Sequence, residues 1–274
     1  MNWKNLFVPV RNLSAGEARK YMEEHKSGAY QLLDVRQPKE YEAGHLPGAM
    51  LVPLKELPDR LDELDRNKPT IVYCAIGGRS KVAAQLLAGK DFASVFNLSG
   101  GIKAWEGRQA TGPEEAGLEF FTGREDFADG VSLAYAMEEG LQEFYRLLAA
   151  RAEDAAQAGL YTRLAGFEER HKSRLLAEYE KIHGPGQRPD REARGLMEGG
   201  QGGEEFLKRV QAQVENPRDI LELAMTLETQ AMDLYGRMAR KSDDKACGVL
   251  FLDLVDEEQR HLAFLAAELD KVLE

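Results

Sequence analysis

The chain has 274 residues, 43% of them hydrophobic, a formal net charge of −11 and two cysteines. That length predicts two domains with ordinary apolar cores, and the acidity disfavours nucleic acid and anionic membranes as partners. Two cysteines are too few for a disulfide framework and fit a reducing compartment; no run approaches the roughly 18 apolar residues of a membrane span, and Met1 to Val10 lacks the basic start and apolar run of a secretory signal, so the expected location is cytoplasmic.

The first part alternates short apolar runs with helical patterns. Tyr30 to Val35, Ala49 to Val52, Thr70 to Tyr73 and Ser94 to Asn97 read as strands. Ser14 to Glu24, Leu54 to Leu64 and Ser80 to Leu87 read as helices. This alternation predicts an α/β domain, a parallel sheet with helices on both faces. From Glu106 to Gly117 the pattern dissolves into Gly, Pro, Thr and Glu, which predicts an interdomain linker. The expected domains are residues 1–112 and 113–274.

Cys74 directly follows the third of these strands, and Ser80 opens a helix. The loop Cys74-Ala75-Ile76-Gly77-Gly78-Arg79 then lies at a helix N-terminus, where successive backbone N–H groups can point inward as an anion cradle. Such a site lowers a thiol pKa, and Arg79 adds positive charge. Gly77 and Gly78 permit the tight path. Cys74 and Arg79 are therefore the candidate catalytic residues, with Ala75, Ile76, Gly77, Gly78, Arg79 and Ser80 as the anion-binding loop.

The second part is helical. The predicted helices are Phe127 to Ala156, Leu160 to His183, Pro217 to Lys241 and Lys245 to Leu273. A Gly-rich polar stretch, Gly184 to Gly203, separates two helical pairs and reads as the long crossover of a four-helix bundle, with a short helix after Glu204. Cys247, near the start of the last helix, reads as a small apolar filler.

The bundle carries an internal repeat. Glu138 precedes Glu168 by 30 residues, and Glu168 begins Glu168-Glu169-Arg170-His171; Glu228 precedes Glu258 by 30, and Glu258 begins Glu258-Gln259-Arg260-His261. Four of the five histidines have Glu three residues before, so that motif alone decides nothing. Glu42/His45 and Glu180/His183 lack the partner: thirty residues upstream stand Asn12 and Ala150. At the offset of ninety, Leu133 matches Leu223, Leu164 matches Leu254 and Leu175 matches Leu265, so one helical hairpin is used twice. Positions i and i+3 share a helix face, and thirty residues suffice to climb one helix and return on an antiparallel partner. Four carboxylates and two imidazoles thus meet at the bundle centre, the donor set of a dinuclear carboxylate site. Such donors suit iron, and manganese equally. The expected ligands are Glu138, Glu168, His171, Glu228, Glu258 and His261. Tyr145 and Tyr235, seven residues after Glu138 and Glu228, either hydrogen-bond the ligand carboxylates or pack in the core.

Two resemblances follow from these motifs. Residues from about 13 to 107 resemble the rhodanese family through Leu33-Asp34-Val35-Arg36, Glu40-Tyr41, Gly44-His45-Leu46-Pro47-Gly48-Ala49, Val72-Tyr73-Cys74, Gly77-Gly78-Arg79-Ser80 and Leu98-Ser99-Gly100-Gly101 with Trp105. The resemblance implies that Cys74 accepts a sulfane sulfur as a persulfide from a donor such as thiosulfate and passes it to a thiol or cyanide. It makes His45 part of a structural turn. A related fold with a longer loop acts on phosphate or arsenate; the six-residue loop here favours sulfur. Residues from about 127 to 274 resemble the rubrerythrin and ferritin-like superfamily. That implies two iron ions per chain, bridging Glu168 and Glu258, terminal Glu138 and Glu228, and one His per iron. This chain departs from the pattern twice. Cys74 and Cys247 cannot build the four-cysteine rubredoxin-like site many rubrerythrins carry, and Ala231 stands where they tend to have an extra Glu.

The expected protein is a sulfurtransferase joined to a di-iron oxidoreductase that reduces peroxide or oxygen, or oxidises a sulfur species, with an external electron donor. The alternative is a rhodanese domain carried on an iron-binding, dimerising scaffold without turnover. A homodimer is expected in either case.

Overall fold

The structure is a computed structural model that describes residues 9–118, 121, 123–124, 126–152, 154–189 and 216–273, with the backbone of 196–197 and 201–202. The N-terminal part is a five-stranded parallel sheet in the order β1-β5-β4-β2-β3, formed by β1 (Arg11–Leu13), β2 (Gln31–Asp34), β3 (Met50–Leu51), β4 (Thr70–Tyr73) and β5 (Val95–Leu98). Helices α1 (Ala15–Glu24), α2 (Pro38–Glu42) and α3 (Gly78–Ala88) connect them. Ser14 starts α1 with a capping box: its hydroxyl accepts from Glu17 N, and the Glu17 carboxylate accepts from Ser14 N.

All four residues of β4 are buried, as a central parallel strand requires. Alternation then sorts its side chains. Ile71 and Tyr73 join one core with Leu32, Tyr41 and Leu98, while Val72 and Cys74 join the other with Leu33, Val35 and Leu87. Cys74 thus leaves the middle of the sheet at its carboxyl edge, where open α/β sheets place their ligands.

The C-terminal part is built from α4 (Phe127–Arg151), α5 (Ala155–His183), α6 (Pro217–Lys241) and α7 (Lys245–Leu273). Each start is capped by an acid or amide: Asp126 accepts from Asp129 N, Asp154 from Ala156 N and Gln157 N, Asn216 from Asp219 N, and Asp244 from Cys247 N. Two apolar layers fill the bundle, one around Val131, Met137, Leu175 and Phe251, the other around Phe144, Leu164, Ile220 and Leu265. The repeated Glu and His positions lie between them in sequence on all four helices.

The structure corrects several expectations. Leu54 to Leu64 is not an α-helix but two 3₁₀ turns, Leu57–Asp59 and Leu61–Glu63. Pro58 would remove a helical hydrogen bond and clash one turn back, and the 3₁₀ turns still bury Leu57, Leu61 and Leu64. Strand β1 and helix α2 were not expected. The first bundle helix ends at Arg151 rather than Ala156, because Asp154 caps the next one. Within the crossover, β6 (Leu196–Met197) and β7 (Gln201–Gly202) pair antiparallel; the short helix expected after Glu204 lies outside the described residues. No helix among the described residues is long and apolar enough to cross a membrane.

The expected linker is a docked strap. Ala110 pairs with His45 by two backbone hydrogen bonds, and Thr111 exchanges two with the Gln230 side chain. Arg237 donates to Glu114 O and Ala116 O. Helix α6 also meets the α/β domain directly. Asp233 Oδ1 accepts from Gly48 N at 2.9 Å, Arg240 donates to Gly48 O at 2.5 Å, and a Cβ on Gly236 would stand 3.1 Å from Gly48 Cα. His45 belongs to this seam: its Nδ1 lies 2.9 Å from Tyr41 O and its Nε2 3.4 Å from Asp233 Oδ2. The seam agrees with its expected structural place.

Candidate active sites

The Cys74 loop turns directly into α3. Gly77 adopts φ +94°, a left-handed conformation that a side chain disfavours. Gly101 closes the other side: a Cβ there would stand 2.2 Å from Cys74 O. The Cys74 Sγ accepts from Gly77 N at 3.2 Å and from Ser80 Oγ at 3.4 Å. Burial raises this thiol's pKa, but the Ser80 hydroxyl and the backbone N–H groups of Ser80, Ile76 and Gly77 outweigh it, and the net shift is downward. Cys74 is nearly fully buried, whereas Ile76 beside it is 67% exposed, so the loop offers an open rim above a recessed sulfur.

Arg79 does not stand free. Its guanidinium forks onto Glu40 at 2.6 and 2.8 Å, and that fork pulls the Glu40 carboxyl down to about 2. Glu40 is a site residue the sequence reasoning missed, because its partner is 39 residues away. Asn97 is another. Its Oδ1 lies 2.7 Å from Ser80 Oγ and competes with Sγ for the single hydroxyl proton.

In the bundle, the structure brings all six expected ligands together. His171 Nδ1 lies 3.0 Å from Glu138, 3.8 Å from Glu168 and 3.7 Å from Glu258. His261 Nδ1 lies 3.4 Å from Glu228 and 3.1 Å from Glu258. Three overlapping groups have ligand atoms spaced for an ion: Glu138/Glu168/His171, Glu168/Glu228/His261 and His171/Glu258/His261. Glu168 enters a group with each imidazole, and Glu258 faces both. Glu138 stays with His171 and Glu228 with His261.

The tyrosines cross over. Tyr235, on the helix of Glu228, donates to Glu138 at 2.7 Å, and Tyr145, on the helix of Glu138, reaches Glu228 at 3.5 Å. Of the two readings open for them, hydrogen bonding to the ligand carboxylates is therefore met, while both rings also pack in the core.

Four carboxylates are almost wholly buried here. Both oxygens of Glu168 are buried without a hydrogen-bond partner among the described residues. Leaving such a group uncompensated is costly. Burial and the negative charges of Glu228 and Glu138 push Glu168 well above the usual carboxylate range, and burial with Glu228 does the same to Glu258. Oxygen-rich donors, two imidazoles and an orphaned carboxylate fit a pair of divalent cations. A cavity of about 20 Å³ beside Glu138, Glu258, Tyr235, Leu227 and Ala231 has room for one water-sized molecule.

Comparison with known proteins matches the two halves separately. The Rhodanese-like domain family covers residues 14–108, and the Rubrerythrin family covers residues 129–269. Among curated relatives, Uncharacterized protein YqhL of Bacillus subtilis is 44% identical over 78 residues, 28% of this chain and 62% of that protein. Rhodanese-like/PpiC domain-containing protein 12, chloroplastic, of Arabidopsis thaliana is 37% identical over 102 residues, 35% of this chain and 34% of that protein. The match thus spans less than two thirds of either relative. A solved rhodanese-related protein from Thermoplasma volcanium is 32% identical over 36% of this chain and 94% of that one, with a TM-score of 0.32. The chain belongs to the rubrerythrin family and carries a rhodanese-like domain ahead of its bundle.

Proposed function

We propose that this rubrerythrin-family chain is a sulfurtransferase whose bundle holds two iron ions and defends the transfer chemistry against oxidants. The supporting observation is that both sites are complete within one chain: a recessed thiol under backbone N–H groups, and six ligand groups converging between two apolar layers.

At the first site the Cys74 thiolate attacks the outer sulfur of thiosulfate. A new S–S bond forms, the old one breaks, and sulfite leaves with the electron pair. The persulfide's terminal sulfur carries the negative charge, and the loop amides with the α3 dipole stabilise it. A thiolate or cyanide then attacks that sulfur and releases Cys74. The Glu40 fork holds Arg79 in place beside the loop, a preorganised charge at the anion's entry.

At the second site Glu138, Glu168, Glu228, Glu258, His171 and His261 would hold the metal pair; Glu168 groups with each imidazole in turn and Glu258 faces both. Tyr235 and Tyr145 orient the terminal carboxylates. When bound, iron supplies the electrons that reduce peroxide or oxygen, and an external donor restores them. The cavity of about 20 Å³ beside Glu138 and Glu258 offers a small reactant a place next to the carboxylates. Peroxide drives a thiolate such as that of Cys74 up an oxidation ladder whose later steps are irreversible, which gives the bundle something to protect.

Replacing both Glu168 and Glu258 by Ala is expected to leave unchallenged sulfur transfer intact but to make it lose activity at peroxide concentrations the unmodified chain survives with a reductant present. Thiocyanate formation after graded peroxide exposure measures this. Equal sensitivity of the two proteins would sink the protective role.

A further inference from the structure

The two halves of the bundle share ligands but not surroundings. At the offset of ninety residues, Phe167 corresponds to Glu257 and Arg174 to Phe264. These four positions exchange chemistry around the two imidazoles. His171 Nε2 lies 3.2 Å from Glu257 Oε2, and the other oxygen of Glu257 is held by Arg174. Glu257 Oε2 is buried and accepts no hydrogen bond among the described residues, from His171 Nε2 or any other group. Among the described residues, His261 has no carboxylate paired with its Nε2. Its ring stacks on Phe167 at 4.8 Å and 20°, and Phe167 meets Phe264 edge-on at 5.0 Å. Among the described residues, the ion-pair contacts of His261 all run through Nδ1.

Resting on the two-metal reading of the bundle, we propose that Glu257 is a positioning residue that makes the two metal positions unequal, so that the one served by His171 binds its divalent ion more tightly and fills first. With Nδ1 given to a metal, the ring proton would sit on Nε2, and a small turn of the ring would aim it at the unpartnered Glu257 Oε2 3.2 Å away. An N–H donated to a carboxylate fixes the ring and makes the ligand nitrogen more basic. Arg174 engages the far oxygen, which holds the carboxylate turned toward His171. Phe167 holds the plane of His261 but accepts no proton, so it adds orientation without basicity. A Glu257–Arg174 pair that only joined α5 to α7 would act on both metal positions alike.

The test uses the full chain stripped of metal and titrated with Co(II) without oxygen, followed by visible absorption and proton NMR. Two binding steps are expected. The first should bring one strongly shifted imidazole N–H signal that exchanges slowly with water, from His171. Glu257→Gln keeps the side-chain shape and removes the charge; it should weaken the first step by about 10–100-fold, leave the second unchanged and speed exchange of that signal. Arg174→Gln, at a part-exposed position, should weaken the same step less, and covers the case in which Glu257→Gln does not fold. Two equal steps in the unmodified chain, or a loss shared equally by both steps, would overturn the inference while leaving the two-metal reading standing. Failure to bind Co(II) at all would overturn both.

Discussion

Cys74→Ser is expected to cut thiosulfate-dependent sulfur transfer by at least about 10³-fold, because it removes the nucleophile on which the sulfur is carried. The loop amides and the Ser80 hydroxyl are arranged to hold a negatively charged sulfur, and their combined pull already outweighs the burial that would keep the thiol neutral. A serine hydroxyl at the same place stays protonated and forms no persulfide. Mass spectrometry after thiosulfate treatment should find the unmodified chain one sulfur atom heavier and the variant unchanged. The metal content of the bundle should be the same in both. Alkylation of Cys74 should also begin at a lower pH than for an ordinary thiol, since its shift is downward.

Removing the metal should cost the bundle several kcal/mol and make its stability fall as pH rises. A ligand at a thousand times its Kd stabilises by about 4 kcal/mol, and each kcal/mol moves the midpoint by roughly 2–4 °C in a domain of this size, so a loss on the order of 10 °C is expected. The pH dependence comes from the ligands themselves. In the metal-free fold Glu168 and Glu258 are raised well above the carboxylate range. Their contribution is full below the ordinary carboxylate value and is lost as pH climbs through the raised one. Burial lowers His171, but its hydrogen bond to Glu138 wins and its net shift is upward, so it acts in the same direction. Burial opposes the downward shifts of Glu138 and Glu228, which His171 drives for the one and Glu258 with His261 for the other. Their contribution is present above the ordinary carboxylate value and lost only in acid. From about pH 5 to 8, then, metal-free protein should melt at steadily lower temperature. Metal-loaded protein should not, because the cations replace the protons. Calorimetric scans of both forms across that window measure it. A metal-free midpoint that rises with pH would contradict this account.

The candidate ligand set was legible because helices impose arithmetic. Thirty residues return an antiparallel chain to its own level and three place His171 over Glu168, so repetition at ninety residues located all six groups that the structure brings together. The Cys74 loop was legible for a similar reason: Thr70 to Tyr73 is an apolar run with turn residues at its end. What sequence left hidden depends on pairing across the fold. Glu40 on Arg79, Asn97 on Ser80 and Asp233 on the seam have no local signal, because each partner comes from another element. Glu257 was hidden in a different way. It stands beside a ligand of the same type, and its role appears only when its matched position, Phe167, is seen to do something else. The linker's docking was hidden because Gly, Pro and polar residues describe a path without helix or strand and say nothing of what it rests on; Ala110 and Thr111 spend their backbone groups on His45 and Gln230. Leu54 to Leu64 was misjudged because leucines three and four apart satisfy two 3₁₀ turns as well as one helix, and Pro58 decided between them.

On the function proposed above, the bundle is a working metal-based reductant beside a sulfur carrier. Anaerobic protein loaded with ferrous iron and mixed with hydrogen peroxide in a stopped-flow spectrometer tests it most directly. Rapid growth of a stable absorption band from the oxidised pair, at close to two irons per chain, is the predicted result. Two irons bound with no oxidation by peroxide would contradict it, leaving the bundle a metal-binding scaffold and Cys74 the chain's main chemistry.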